Sequence, residues 1–204
     1  MRILLIGCGR IGSRYRAILN YLKIPVDIYD PKYNFEPDVT IADKWIIASP
    51  TNSHSTWIQR AIELRKPFLV EKPVSKNLAE CKILADMVNQ SNSIGSLVCN
   101  YKYILNTSMA YRVRGQAALS YDYYNPGDEL EWSCSQILLL DPQAILKSES
   151  PIWKFKINRS YVDYQILEKS YIRMIKDFVN GEYHNLWNME DGIRMTEIVL
   201  KRLG

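Results

Sequence analysis

Three short stretches of this 204-residue chain carry residue types whose spacing could do chemistry. The first is Gly7-Cys8-Gly9-Arg10-Ile11-Gly12, entered directly from an apolar run that starts at residue 3. A strand running into Gly-x-Gly-x-x-Gly and then into a helix is the pattern of a dinucleotide-binding βαβ unit. Gly7 allows the sharp turn, Gly9 lets the backbone approach a pyrophosphate, and Gly12 lets the helix pack on the strand. The anion then rests on unpaired N–H groups at the helix N-terminus, with Arg10 and Ile11 in the same turn. The second stretch is Val26-Asp-Ile-Tyr29, which alternates like a strand and ends at Asp30. Asp30 stands 18 residues after Gly12, near the roughly 20 expected of the acid that accepts from the ribose hydroxyls. Its charge favours NAD over NADP, while Lys32, able to turn toward a 2′-phosphate, leaves NADP open. The third stretch is Glu71-Lys72-Pro73, directly after Phe68-Leu-Val70. Lys72 would stand at a strand C-terminal end, where open α/β sheets bind ligands. A surface lysine paired with Glu71 is its plainer reading.

The elements that must hold these residues follow from periodicity and breakers. The helix predicted over 10–23 stops before Pro25, a helix breaker. Residues 31–38 leave no room for a crossover helix, and Val39-Thr-Ile-Ala42 reads as a short third strand. Trp45-Ile-Ile-Ala48 is the next strand, followed by Ser49-Pro50-Thr51-Asn52-Ser53-His54, a turn rich in helix-capping residues. A helix over 56–64, a strand over 68–71, a helix over 77–89 and a strand over 94–99 continue the alternation. The reading is an α/β fold: a Rossmann-type doubly wound parallel sheet over 1–105, with a reduced C-terminal α+β part over 106–204. In that second part, 117–124 alternates like a strand, 130–140 reads as a buried helix and 152–157 as a strand. Residues 164–179 form an amphipathic helix ended by Gly181, and 189–203 form a closing helix.

Composition narrows the function classes. The chain is 47% hydrophobic and 24% charged, ordinary for a domain with a core. Its net charge of +4 comes from scattered Lys and Arg rather than a basic face, so nucleic acid is not expected as a partner. No apolar run approaches the roughly 18 residues of a membrane span. A strand starting at residue 3 leaves no room for a signal peptide, so the expectation is a cytoplasmic chain. Cys8, Cys81, Cys99 and Cys134 form no CxxC pair, and reduced, partly buried thiols are expected. Cys8 lies inside the glycine loop, where a redox role is the sharper reading and a filler between two glycines the plainer one. No metal-ligand spacing is present.

The glycine loop, the Ser49–His54 turn and Glu71-Lys72-Pro73 together resemble the glucose-fructose oxidoreductase/inositol dehydrogenase (Gfo/Idh/MocA) family of NAD(P)-dependent oxidoreductases. The likeness covers residues 1 to about 105. Glu190-Asp191-Gly192, opening the last helix, is similar to the family's C-terminal helix. The resemblance implies that Lys72 lies beside the nicotinamide and the substrate. It implies that Ser49, Pro50, Thr51, Asn52 and His54 line the nicotinamide end, and that Glu71 belongs to the cofactor site. Lys102 falls roughly where the family carries a substrate-side Arg, a loose match because Lys and Arg differ at bidentate sites. Departures are as informative. Members ordinarily run well past this length, so most of the family's open sheet is expected to be missing. The family's Asp-x-x-x-His pair falls on Trp132 and Gln136, neither of which exchanges a proton. His184 lies in a polar loop.

Alcohol oxidation needs a hydride acceptor and a base for the hydroxyl proton. The cofactor would be the first and Lys72 the second, since burial or a neighbouring charge can disfavour an ammonium. Tyr101, Tyr103 and Tyr121 are further proton donors, though with fourteen tyrosines in the chain packing is the plainer role of each. Three readings stay open. One is a compact oxidoreductase acting on a sugar, sugar nucleotide or related small alcohol or carbonyl, with a small molecule as its partner. Another is a cofactor-binding protein without catalysis, a sensor or a subunit that works with another chain. The third is an assembly protein, with Leu138-Leu-Leu140 as apolar surface for a partner, and a homo-oligomer is compatible with each.

Overall fold

The structure is a computed structural model. It describes residues 1–33, 37–107, 116–118, 132, 135–140, 145–147, 155–157, 160–162 and 164–203. The chain divides into two compact units, residues 1–98 with 175–193, and residues 99–174 with 194–204.

The first unit is built on five parallel strands: β1 (Ile3–Ile6), β2 (Val26–Tyr29), β3 (Lys44–Ile47), β4 (Phe68–Val70) and β5 (Gly95–Leu97). The sheet runs Trp187–Asn188, β5, β4, β3, β1, β2, with the two-residue strand antiparallel to β5 at one edge. The side chains of β1 and β4, and Trp45, Ile46 and Ile47 of β3, are buried. Central parallel strands are covered on both faces, so they read as continuous apolar runs. Each such side chain contributes about 1.5–3 kcal/mol by leaving water. β2 is half-buried throughout, as an edge strand should be. The α/β reading therefore holds. The edge strand Trp187–Asn188 escaped the sequence reading, because two residues carry no periodicity.

Val39–Ala42 is not a strand. The Asp38 carboxylate accepts hydrogen bonds from Thr40 N at 2.9 Å and Thr40 Oγ1 at 2.7 Å, and Thr40 lies in a turn. A side chain that captures the backbone two residues on stabilises a turn, and it overrides the β-preference of Val39, Thr40 and Ile41. β1 consequently pairs directly with β3, Ile3 opposite Lys44 through Ile6 opposite Ile47.

The helices α1 (Arg10–Tyr21), α2 (His54–Glu63) and α3 (Leu78–Gln90) match their expected positions within about two residues. Asn77 caps α3, its side chain accepting from Ala79 N and Glu80 N. All three end in the same way. Lys23, Arg65 and Asn92 adopt φ of 57°, 51° and 52°. The next residue in each case, Ile24, Lys66 or Ser93, donates back to Leu19, Ala61 or Val88. This is the Schellman closure without its usual glycine, so α1 ends two residues short of Lys23. The helix Tyr164–Asn180 does end at Gly181, φ +82°. Lys44 Nζ adds a cap, donating to Phe178 O at 2.9 Å and Val179 O at 2.8 Å. The helix Met189–Leu203 opens with a capping box, Asn188 N to Asp191 Oδ2 at 3.0 Å and Asp191 N to Asn188 Oδ1 at 3.1 Å.

The second unit does contain a sheet. Four three-residue strands run Ile145–Lys147, Gln116–Ala118, Phe155–Ile157, Ser160–Val162, the first pair parallel and the others antiparallel. A helix spans Asn100–Thr107, and residues 135–140 are helical. The remainder of the strand expected over 117–124, together with Tyr121 and Cys134, lies outside the described residues. Cys8, Cys81 and Cys99 are free thiols and buried. No helix among the described residues is long and apolar enough to cross a membrane.

Candidate functional site

The strand order of the first unit reverses between β1 and β3. In a doubly wound sheet the crevice beyond the strand C-termini at that reversal is the ligand site. The glycine loop follows β1, the Ser49–His54 turn follows β3, and Glu71-Lys72-Pro73 follows β4, the neighbour of β3. Three of the stretches singled out in the sequence are thus carried to one end of the sheet.

The glycine loop is shaped by missing side chains. Gly7 has φ +87°, and a Cβ there would lie 2.6 Å from Ala48 O. A Cβ on Gly12 would fall 2.0 Å from Gly7 O. No other residue fits at either position. Gly9 differs, since a Cβ there meets nothing within 4 Å. Gly9 is also the N-cap of α1, with no side-chain cap and no acidic residue in the first turn. The first-turn N–H groups are therefore presented beneath open space, and Arg10 stands exposed beside them.

Asp30 is half-buried at the end of β2. Its Oδ2 accepts from Cys8 N at 2.7 Å and its Oδ1 from Lys32 N at 2.9 Å. The acid thus closes the glycine loop. A carboxylate has about four lone-pair sites, so two backbone donors leave acceptor capacity.

The turn after β3 folds on itself. Ser53 Oγ donates to Ser49 Oγ and to Pro50 O, each at 2.8 Å, while Asn52 is exposed and Thr51 half-buried. His54, by contrast, is 1% exposed. Its Nδ1 lies 2.8 Å from Pro73 O and its Nε2 2.9 Å from Ser49 O. Both neighbours are carbonyls, which only accept, and a ring donates to both only when both nitrogens carry hydrogen.

Glu71 is buried. Tyr15 OH donates to its Oε1, and Lys72 N to its Oε2 at 3.1 Å. Glu71 is therefore spent on α1 and on the backbone of its own turn. Lys72 is half-buried, and among the described residues its ammonium has no hydrogen-bond or ion-pair partner. The Lys72–Pro73 peptide is cis. Tyr15 was not singled out from the sequence. Its place three residues after Gly12, on the buried face of α1, is the signal that was available. Gly192, in the last helix, packs on the residue after Pro73: a Cβ there would lie 2.9 Å from Val74 Cγ2.

Lys102 and Gln136 belong to the second unit. Lys102 is half-buried on the helix Asn100–Thr107, where Tyr101 and Tyr103 are buried. Gln136 is buried beside Trp132 and Ser135 in sequence, and its Oε1 has no hydrogen-bond partner among the described residues. No group of His, Cys, Asp and Glu among the described residues is arranged to hold a metal ion.

The fold and these turns define a Rossmann-type domain. A family model of the Gfo/Idh/MocA oxidoreductases, described as "Oxidoreductase family, NAD-binding Rossmann fold", matches residues 36–98. Over that stretch, which holds the Ser49–His54 turn and Glu71-Lys72-Pro73, the chain is similar to that family. Solved structures extend the likeness in fold along the chain. A Gfo/Idh/MocA family oxidoreductase from Vibrio cholerae is 14% identical, with 98% of this chain and 94% of that chain covered and a TM-score of 0.71. A myo-inositol dehydrogenase from Corynebacterium glutamicum is 14% identical, covering 100% and 95%, TM-score 0.70. An oxidoreductase from Agrobacterium radiobacter, in complex with NAD+, L-tartaric acid and magnesium, is 9% identical, covering 98% and 94%, TM-score 0.68. No curated protein sequence matches the chain.

Proposed function

We propose that this chain is an NAD(P)-dependent oxidoreductase acting on a sugar, a sugar nucleotide or a related small alcohol or carbonyl compound. One observation carries the reading: the glycine loop and the Ser49–His54 turn follow the two strands that flank the reversal of the sheet, and Lys72 follows β4 beside them. The residues fit a dinucleotide. Open space over Gly9 and an uncapped first turn of α1 suit a diphosphate. Asp30 accepts from the ribose hydroxyls with the lone pairs its backbone donors leave, and its charge disfavours a 2′-phosphate, so NAD is preferred. The nicotinamide, when bound, accepts or supplies the hydride. Lys72 Nζ holds or takes the hydroxyl proton, with Asn52 on the nicotinamide side. The fold likeness to a myo-inositol dehydrogenase supports a polyol or sugar substrate.

A second reading has its own observation. Gln136, in the place where the resemblance expects a histidine, cannot exchange a proton. This reading makes the chain a cofactor-binding sensor or assembly subunit. Calorimetric titration with NADH and NADPH, followed by turnover assays on a panel of polyols and sugars, separates the two. Binding with turnover that Lys72→Ala abolishes supports the oxidoreductase. Binding without turnover favours the second reading as a sensor, and no binding of either nucleotide overturns the oxidoreductase and the sensor and leaves the assembly subunit.

A further inference from the structure

His54 is expected from the family resemblance to face the nicotinamide, yet its ring is buried and both nitrogens are engaged by backbone carbonyls. Those carbonyls belong to different turns. Ser49 follows β3, and Pro73 is the residue after Lys72. The ring is therefore a rigid spacer between the ends of two neighbouring parallel strands. Glu71 on the other side of Lys72 is anchored as well, through Tyr15. Lys72 is thus bracketed by two fixed residues, while its own ammonium has no partner among the described residues. An unpartnered side chain between two anchored residues is what a ligand contact held in place by separate supports requires.

We propose that His54 is a positioning residue: by tying Pro73 O to Ser49 O it sets where Lys72 and the turn after β3 stand. Resting on the dinucleotide reading above, this predicts an effect confined to the nicotinamide half of the cofactor. Of the parts assigned to the adenosine and diphosphate, Asp30 accepts from Cys8 N and Lys32 N and Gly9 O accepts from Ser13 N, and none of these bonds involves His54. ADP-ribose, which lacks nicotinamide, isolates that half.

The test compares NADH and ADP-ribose binding by calorimetry in the wild-type chain and in His54→Ala, with and without added imidazole. A His54→Gln variant, which keeps a donor, serves as a second probe. Losing the ring and its hydrogen bonding at the turn should weaken NADH by about tenfold or more and ADP-ribose by about twofold or less. Free imidazole should restore NADH affinity in His54→Ala and leave ADP-ribose unchanged, a rescue that a general loss of stability would not show. Equal weakening of both ligands, no weakening of NADH, or unfolding of both variants would overturn the proposal. Failure of the wild-type chain to bind ADP-ribose would instead remove the dinucleotide reading, and this proposal with it.

Discussion

Two turns at the same end of the sheet are made by opposite means. The loop after β1 is held by backbone. Gly7 takes a left-handed φ against Ala48, and Gly12 presses on the Gly7 carbonyl with no side chain between them. The turn after β4 is held by side chains from elsewhere: Tyr15, 56 residues from Glu71, and His54, 19 residues from Pro73. A backbone-built turn tolerates no added atom. A side-chain-built turn tolerates local change and depends on distant partners. The first kind shows in residue spacing, the second only in the fold.

Gly12→Val should break the comparison hardest. The added Cβ meets a backbone oxygen at 2.0 Å, and backbone cannot step aside. The expected loss of stability is about 3 kcal/mol, read by urea unfolding. Gly9→Val, three residues away, meets nothing, so its stability should stay within about 0.5 kcal/mol of wild type. Its NADH affinity should nevertheless be lost, because the open space over Gly9 is what the diphosphate needs. Equal stability losses in the two variants would remove the distinction between a packing glycine and a binding glycine.

Tyr15→Phe tests the second turn. It keeps the ring and deletes the hydroxyl that donates to buried Glu71. A buried carboxylate that loses a donor costs on the order of 2 kcal/mol. Unfolding in urea near neutral pH checks this. An unchanged midpoint would mean that water replaces the hydroxyl and that the turn is not clamped from α1.

Helix ends divide along the same line of legibility. The start of α3 was readable because Asn77 is a capping residue, and the end of the helix Tyr164–Asn180 because Gly181 follows it. The end of α1 falls two residues before its expected position, because Lys23 occupies the left-handed position that glycine usually marks. β1, β3, β4 and the glycine loop were legible from apolar runs and spacing. Tyr15 was not, because a tyrosine on a helix face reads as packing. His54 was noticed as part of a motif, but its inward aim was invisible without Pro73 beside it. Arg65→Gly should relieve left-handed strain of about 1–2 kcal/mol and pay part of it back as unfolded-chain entropy. The net expectation is a gain of about 0.5 kcal/mol, measurable as a raised urea midpoint, and a lowered midpoint would show that the Arg65 side chain matters more than its φ.

The smallest effect belongs to a third turn, held by a side chain as the second is, but in water. Hydrogen bonds from Thr40 Oγ1 and Thr40 N hold the Asp38 carboxyl below its ordinary value of 3.8. A carboxyl that titrates lower in the folded chain adds stability above its unfolded value, and that stability is lost as pH falls through the folded value. Thr40→Val removes the hydroxyl and keeps the backbone donor. The variant should therefore be slightly less stable than wild type near neutral pH, with the difference fading as the solution is acidified below the ordinary carboxylate range. Full exposure of Asp38 keeps the difference well under that of Tyr15→Phe, because exposed polar contacts compete with water. Urea unfolding of both chains along an acid pH series reads it. A deficit in Thr40→Val that grows toward acid pH would reverse the sign and show that Asp38 is not favoured as a carboxylate in the folded turn. A deficit as large as that of Tyr15→Phe would show that burial is not what makes a side-chain clamp strong.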